Sequence, residues 1–117
     1  MTAIEGWDVT QVELDAGESL EENADTAPLE IKSRIADELY IFVDGGDGDD
    51  PAEYDLTIER FSVGFDDWMP YVEVTGTTDT SHVFEAPAWK VRVNVTNTSG
   101  AASEYRVESV SETYSRA

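Results

Sequence analysis

Residues 89–96 read Trp-Lys-Val-Arg-Val-Asn-Val-Thr, four large apolar residues separated one by one by polar ones. Successive side chains of a β-strand point to opposite faces, so Trp89, Val91, Val93 and Val95 share one face while Lys90, Arg92, Asn94 and Thr96 share the other. A half-buried helix needs apolar residues three and four apart, and no such stripe runs through this segment. The spacing predicts a half-buried strand over 88–96. Such a strand needs partners in its own sheet and a second layer over its apolar face.

The rest of the chain repeats this grammar. Strands are predicted near 7–14, 29–33, 39–43, 54–63, 71–75, 81–84 and 104–111, in a chain with twelve valines against five leucines and eleven threonines, a mix that favours pleated structure. Turn chemistry separates them at Asp44 to Pro51, Gly64 to Asp67, Thr75 to Thr77 and Asn97 to Gly100. In 54–63 the apolar phase slips from Tyr54, Leu56 and Ile58 to Phe61 and Val63, and in the last strand from Tyr105 and Val107 to Val110. Both slips predict bulges. Asp15 to Ala27 sets Glu18, Glu21, Glu22 and Asp25 around a single Leu20 and reads as a long loop or one short surface helix. Pro28 to Leu39 also admits a helical stripe through Leu29, Ile35 and Leu39, although strand is the stronger reading. The expected fold is all-β: a single antiparallel β-sandwich domain over 1–117, of about eight strands, jelly-roll-like or immunoglobulin-like.

Several functions are disfavoured. No cysteine is present, which removes disulfides, thiolate metal sites and cysteine nucleophiles. The longest strongly apolar run, Leu39 to Val43, is far short of the roughly 20 residues a membrane helix needs, so no membrane partner is expected. Met1 to Asp8 lacks a basic segment followed by an apolar one, and no secretory signal is expected there. Acids outnumber bases 26 to 7, for a formal net charge of −19, which argues against nucleic acid because phosphate binding needs a basic patch.

The charge is uneven. Residues 1–56 carry 17 acids and 2 bases, whereas the eighteen residues between Glu85 and Glu104 contain no acid at all. Interface cores are depleted in acidic residues and enriched in arginine, so the outward face Lys90, Arg92, Asn94 and Thr96 is a candidate contact strip, against the plainer reading of a central strand covered by its neighbours. Trp68 and Met69, placed by sequence in a loop, form a second candidate contact or a plug over the sandwich end. The loop carrying Asp44, Asp47, Asp49 and Asp50 offers hard oxygen ligands to a structural cation, Ca2+, Na+ or K+, although a solvated turn is the simpler reading. No cofactor beyond such an ion is expected.

Nothing in the chain reads as catalytic. In Asp79-Thr80-Ser81-His82 neighbours of an extended segment point apart and cannot converge, and His82 is the only histidine. Asn94-Val95-Thr96 and Asn97-Thr98-Ser99 match the glycosylation sequon, a triplet that chance produces readily in Thr-rich strands. Of the tryptophans, Trp89 is in phase with three valines and is expected in the core. A sugar binder should show a row of exposed aromatics, and no such row is visible in the sequence.

With two lysines among 117 residues, the acidity resembles that of proteins of halophilic archaea and their viruses. At molar salt the Debye length is about 3 Å, and the self-repulsion that destabilises such a chain in dilute buffer is screened. In size, strand pattern and acidity the chain is similar to the small accessory virion proteins of tailed viruses that infect halophilic archaea: head-decoration, turret or tail components. That resemblance implies a non-enzymatic structural protein of the virion, assembled in the host cytoplasm. It also implies docking on capsid or tail proteins of the same particle, and a homo-oligomer. The alternative is a haloarchaeal carbohydrate-binding or cell-surface module of the same fold.

Overall fold

The computed structural model describes residues 2–32, 38–87 and 90–114. Eight strands follow in order: β1 (Thr2–Leu14), β2 (Leu29–Lys32), β3 (Glu38–Asp44), β4 (Tyr54–Ser62), β5 (Asp67–Thr77), β6 (Ser81–Glu85), β7 (Lys90–Asn97) and β8 (Ser103–Tyr114). They build two four-stranded antiparallel sheets, sheet A in the order β1-β8-β3-β6 and sheet B in the order β2-β7-β4-β5. The chain changes sheet at every connection except the β4–β5 hairpin. This is the jelly-roll arrangement; an immunoglobulin-like sandwich keeps several consecutive strands paired within one sheet.

β7 alternates as its sequence demands, with Val91, Val93 and Val95 fully buried and Lys90, Arg92, Asn94 and Thr96 on the opposite face. Trp89 falls outside the described residues. The inward valines meet Leu56 and Ile58 of β4 and Leu29 and Ile31 of β2, and across the sandwich Leu39, Ile41 and Val43 of β3 with Tyr105 and Val107 of β8 complete one core. Residues 15–27 form no helix. Leu20 is fully buried in that core, while Gly17 and Leu20 donate backbone hydrogen bonds to the Asn97 and Val95 carbonyls at 2.8 and 3.0 Å. This loop therefore continues the edge that β2 begins along β7. Of the segment 28–39, residues 29–32 are strand and 33–37 lie outside the described residues.

Three expectations about strand phase change. The ladder of β4 on β7 is unbroken from Tyr54 to Arg60, and the two register shifts against β5 place their extra residues on β5. Phe61 thus departs from the core phase by facing outward, not through a bulge in β4. β8 pairs without a shift against β3, and its one irregularity against β1 lies on β1, between Ile4 and Gly6. Val110 is simply an outward residue that its neighbours cover to 8% exposure. Trp68 and Met69 lie within β5 and not in a loop. Pro70 is tolerated there because β5 is an edge strand.

The shift at Ile4/Gly6 also brings the start of β1 down onto β2. A Cβ on Gly6 would lie 2.6 Å from the Lys32 carbonyl oxygen, so only glycine permits this approach, and Ser111 Oγ donates to the same carbonyl at 2.7 Å.

Candidate functional site

The outer face of sheet B gathers most of the residues singled out by charge. Arg92 Nη2 and Nε both donate to Glu59 Oε1, at 2.7 and 3.1 Å, across the β4–β7 ladder. Its guanidinium lies 4.9 Å from the Trp68 ring centre, Trp68 meets Phe61 edge-on at 5.5 Å, and Lys90 Nζ lies 4.6 Å from the Phe61 ring centre. Two cations thus rest on two aromatic rings, each contact contributing about 0.5–1 kcal/mol where water is partly excluded. On its other side β7 sets Arg92 opposite Glu30 and Lys90 opposite Lys32. The only two lysines of the chain are therefore cross-strand neighbours. A cleft of about 280 Å³ opens beside them, lined by Glu30, Ile31, Lys32 and Lys90.

The far end of the strip is occupied by the chain itself. Asn94 Oδ1 accepts the Glu21 backbone N–H at 3.3 Å, and Thr96 forms a backbone bridge with Ser19. Met69 pairs with Arg60, one residue out of phase with the Phe61–Trp68 pair, and so does not join this face.

The Asp44–Asp50 loop closes on itself. Asp44 Oδ1 accepts the Gly46 N–H at 2.8 Å, and its Oδ2 lies 3.4 Å from Arg106 Nη1. Gly45 and Asp49 donate to the Asp49 and Gly46 carbonyls. Gly46, Asp47 and Gly48 all have positive φ, which explains the two glycines. Asp47, Asp49 and Asp50 are exposed, and among the described residues no group of three or more acidic or histidine side chains is placed to hold a metal ion.

His82 is half-buried on the inner face of sheet A, beside Ile41. The Tyr54 hydroxyl donates to the Asp79 carbonyl and lies 2.8 Å from His82 Nε2, so the imidazole donates from Nε2. Burial pushes the His82 pKa down, opposed by Asp79, and pushes Tyr54 up with Asp79 and Tyr105 adding. Ser81 and His82 pair with Phe42 and Ile41, on opposite faces of sheet A. Asn97 is fully buried: its amide donates to the Leu14 and Ala101 carbonyls, and its oxygen faces the Tyr105 hydroxyl at 3.0 Å. That sequon is a structural element, closed to a glycosylating enzyme in the folded chain.

The outer face of sheet A holds what the sequence reading missed. Trp7 of β1 pairs with Val110, Val110 with Tyr40 of β3, and Tyr40 with Val83 of β6, an apolar row across all four strands. Trp7 is 59% exposed, Val83 55% and Phe42 41%. Tyr40 and Phe42, two apart on β3, hold their rings parallel to within 5°. Trp7 Nε1 donates to Glu108 Oε2 at 2.8 Å, and the Tyr40 hydroxyl donates to Glu38. The Trp7 and Tyr40 rings are thus each held at the polar edge by a carboxylate.

No family model and no curated protein matches the sequence. Solved structures do match in fold. The Yersinia pseudotuberculosis-derived mitogen is similar with a TM-score of 0.58 at 13% identity, over 95% of this chain and 88% of that one. PliG of Aeromonas hydrophila, a periplasmic inhibitor of g-type lysozyme, is similar with a TM-score of 0.56 at 6% identity, over 92% and 87%. Identities this low carry the fold alone, and the fold these comparisons and the strand order agree on is an all-β sandwich of two four-stranded sheets.

Proposed function

We propose that this protein is a non-enzymatic structural component of a virus particle from a high-salt habitat. It docks on capsid or tail subunits, and on further copies of itself, through the outer face of sheet B. The observation that carries this reading is the cross-strand pairing of Lys32 with Lys90 beside Arg92. Like charges directly opposite each other destabilise a sheet, and here they concentrate both lysines of a −19 chain at one spot. An acidic neighbouring subunit is the complementary surface. Contact ion pairs and cation–ring contacts act at distances comparable to the ~3 Å screening length of molar salt and so persist there.

The test is the double variant Lys32→Glu with Lys90→Glu. It leaves a like-charged pair in place of a like-charged pair and removes the Lys90 contact with Phe61, so folding loses about 0.5–1 kcal/mol while the face turns acidic. In about 3 M NaCl the variant should lose the oligomer mass seen by light scattering and fail to co-sediment with purified particles, because like-charge juxtaposition at an interface can cost several kcal/mol. A variant that keeps both the mass and the particle association contradicts this function.

A further inference from the structure

Docking through sheet B leaves the opposite face of the sandwich free, and we propose that the outer face of sheet A binds a neutral, extended β-linked glycan. The row Trp7, Val110, Tyr40 and Val83 runs perpendicular to the strands, with Phe42 beside Tyr40. Trp7, Phe42 and Val83 are its exposed members while Val110 is covered beneath them, and an exposed apolar patch built around flat rings marks a binding face. The C–H face of a pyranose stacks on such rings, whereas a compact apolar protein patch asks for no ring geometry. Neighbouring strands lie about 4.8 Å apart, so the exposed rings of Trp7 on β1 and Phe42 on β3, two strands apart, are set about 10 Å from each other across the sheet, close to the length of two sugar rings in an extended β-linked chain. The Trp7 indole is anchored to Glu108, and carboxylates of this kind accept hydrogen bonds from sugar hydroxyls.

Charge selects against the other occupants. Glu38 stands directly opposite Glu112 on one side and Glu85 on the other, so a row of three acids flanks the apolar row. A second copy presenting the same face would bring its own Glu38, Glu85 and Glu112 against them, and an anionic polysaccharide would also set carboxylates there. A neutral polyol brings none. Apolar stacking is also the attraction that molar salt leaves unscreened.

Calorimetry of the full chain in about 3 M KCl tests this, with three neutral β-linked hexasaccharides as probes: a β-1,4-glucan, a β-1,3-glucan and a β-1,4-linked N-acetylglucosamine oligomer. At least one should bind. Trp7→Ala and Phe42→Ala should each weaken it about tenfold, the worth of one ring contact. Phe42→Tyr should retain it, and so should Phe65→Ala, which removes an exposed ring of the β4–β5 hairpin outside both faces. Failure of all three glycans to bind overturns the proposal, as does binding that survives loss of Trp7 and Phe42. So does a halved particle mass in those variants, which would assign the face to a second copy. The Lys32/Lys90 variant lies on the other sheet, so glycan binding and particle docking fail separately.

Discussion

The two outer faces of the sandwich use the same residue types to opposite ends. On sheet B the rings of Phe61 and Trp68 lie under Lys90 and Arg92, and Arg92 is tied to Glu59. On sheet A the rings of Trp7 and Phe42 stay open, and the groups that fix Trp7 and Tyr40 are carboxylates. A cation over a ring consumes its face within the fold, whereas a carboxylate at its polar edge orients the ring and leaves the face available. The first arrangement commits its rings to the fold and presents cations; the second presents the rings themselves.

This contrast is open to direct attack. The largest effect should come from Arg92→Ala, which deletes a partly buried ion pair and a ring contact and leaves Glu59 half-buried without its partner. The expected loss is about 2 kcal/mol by denaturant unfolding in molar salt. Trp7→Ala, the removal of a larger side chain from sheet A, should change stability by only about 0.5 kcal/mol. Equal losses would erase the distinction between the faces.

A smaller effect separates the faces by salt. The whole chain should melt at lower temperature in about 0.1 M than in 3 M NaCl, because carboxylate repulsion then reaches over about 10 Å. Part of that loss arises where Glu38 and Glu112 are direct partners. Glu112→Gln should recover about 0.5 kcal/mol in dilute buffer and nothing in molar salt, which parallel melts at the two concentrations will show. Melting that is independent of salt would remove the halophilic setting.

The smallest effect lies behind sheet A. Burial holds the His82 pKa below its ordinary 6.5, so the folded state favours neutral imidazole and the unfolded chain takes up the proton first. The stability this contributes is present above pH 6.5 and is lost as pH falls below it. His82→Gln, compared with the parent chain between pH 7.5 and about 5.5, should flatten that slope. Identical slopes would place His82 in solvent.

What was legible in the sequence follows the same divide. β7 could be read because its alternation is complete, and the sandwich follows from segments like it. Whether Tyr40 and Phe42 or Leu39, Ile41 and Val43 face out is not legible in that segment, because every residue there is apolar and the period of two has no polar phase to reveal it. The row from Trp7 to Val83 exists only through the register of β1 and β3 on β8 and of β6 on β3, which no local pattern encodes. The lysine pair is hidden for the same reason, since Lys32 and Lys90 meet only through the β2–β7 register. Asp66, Asp67 and Pro70 give the surroundings of Trp68 the composition of a loop, yet an edge strand accepts proline. The acidic loop carries the composition of a cation site and the backbone of a turn, and composition alone does not separate the two.

The difference between the faces is tested most directly by the indole N–H signals of the 15N-labelled chain in about 3 M KCl, titrated with the tightest of the three glycans and assigned through Trp7→Phe and Trp68→Phe. An open platform on sheet A predicts that the Trp7 signal moves with added glycan while Trp68, under Arg92, stays still. Movement of Trp68 alone, or of neither signal, would contradict it.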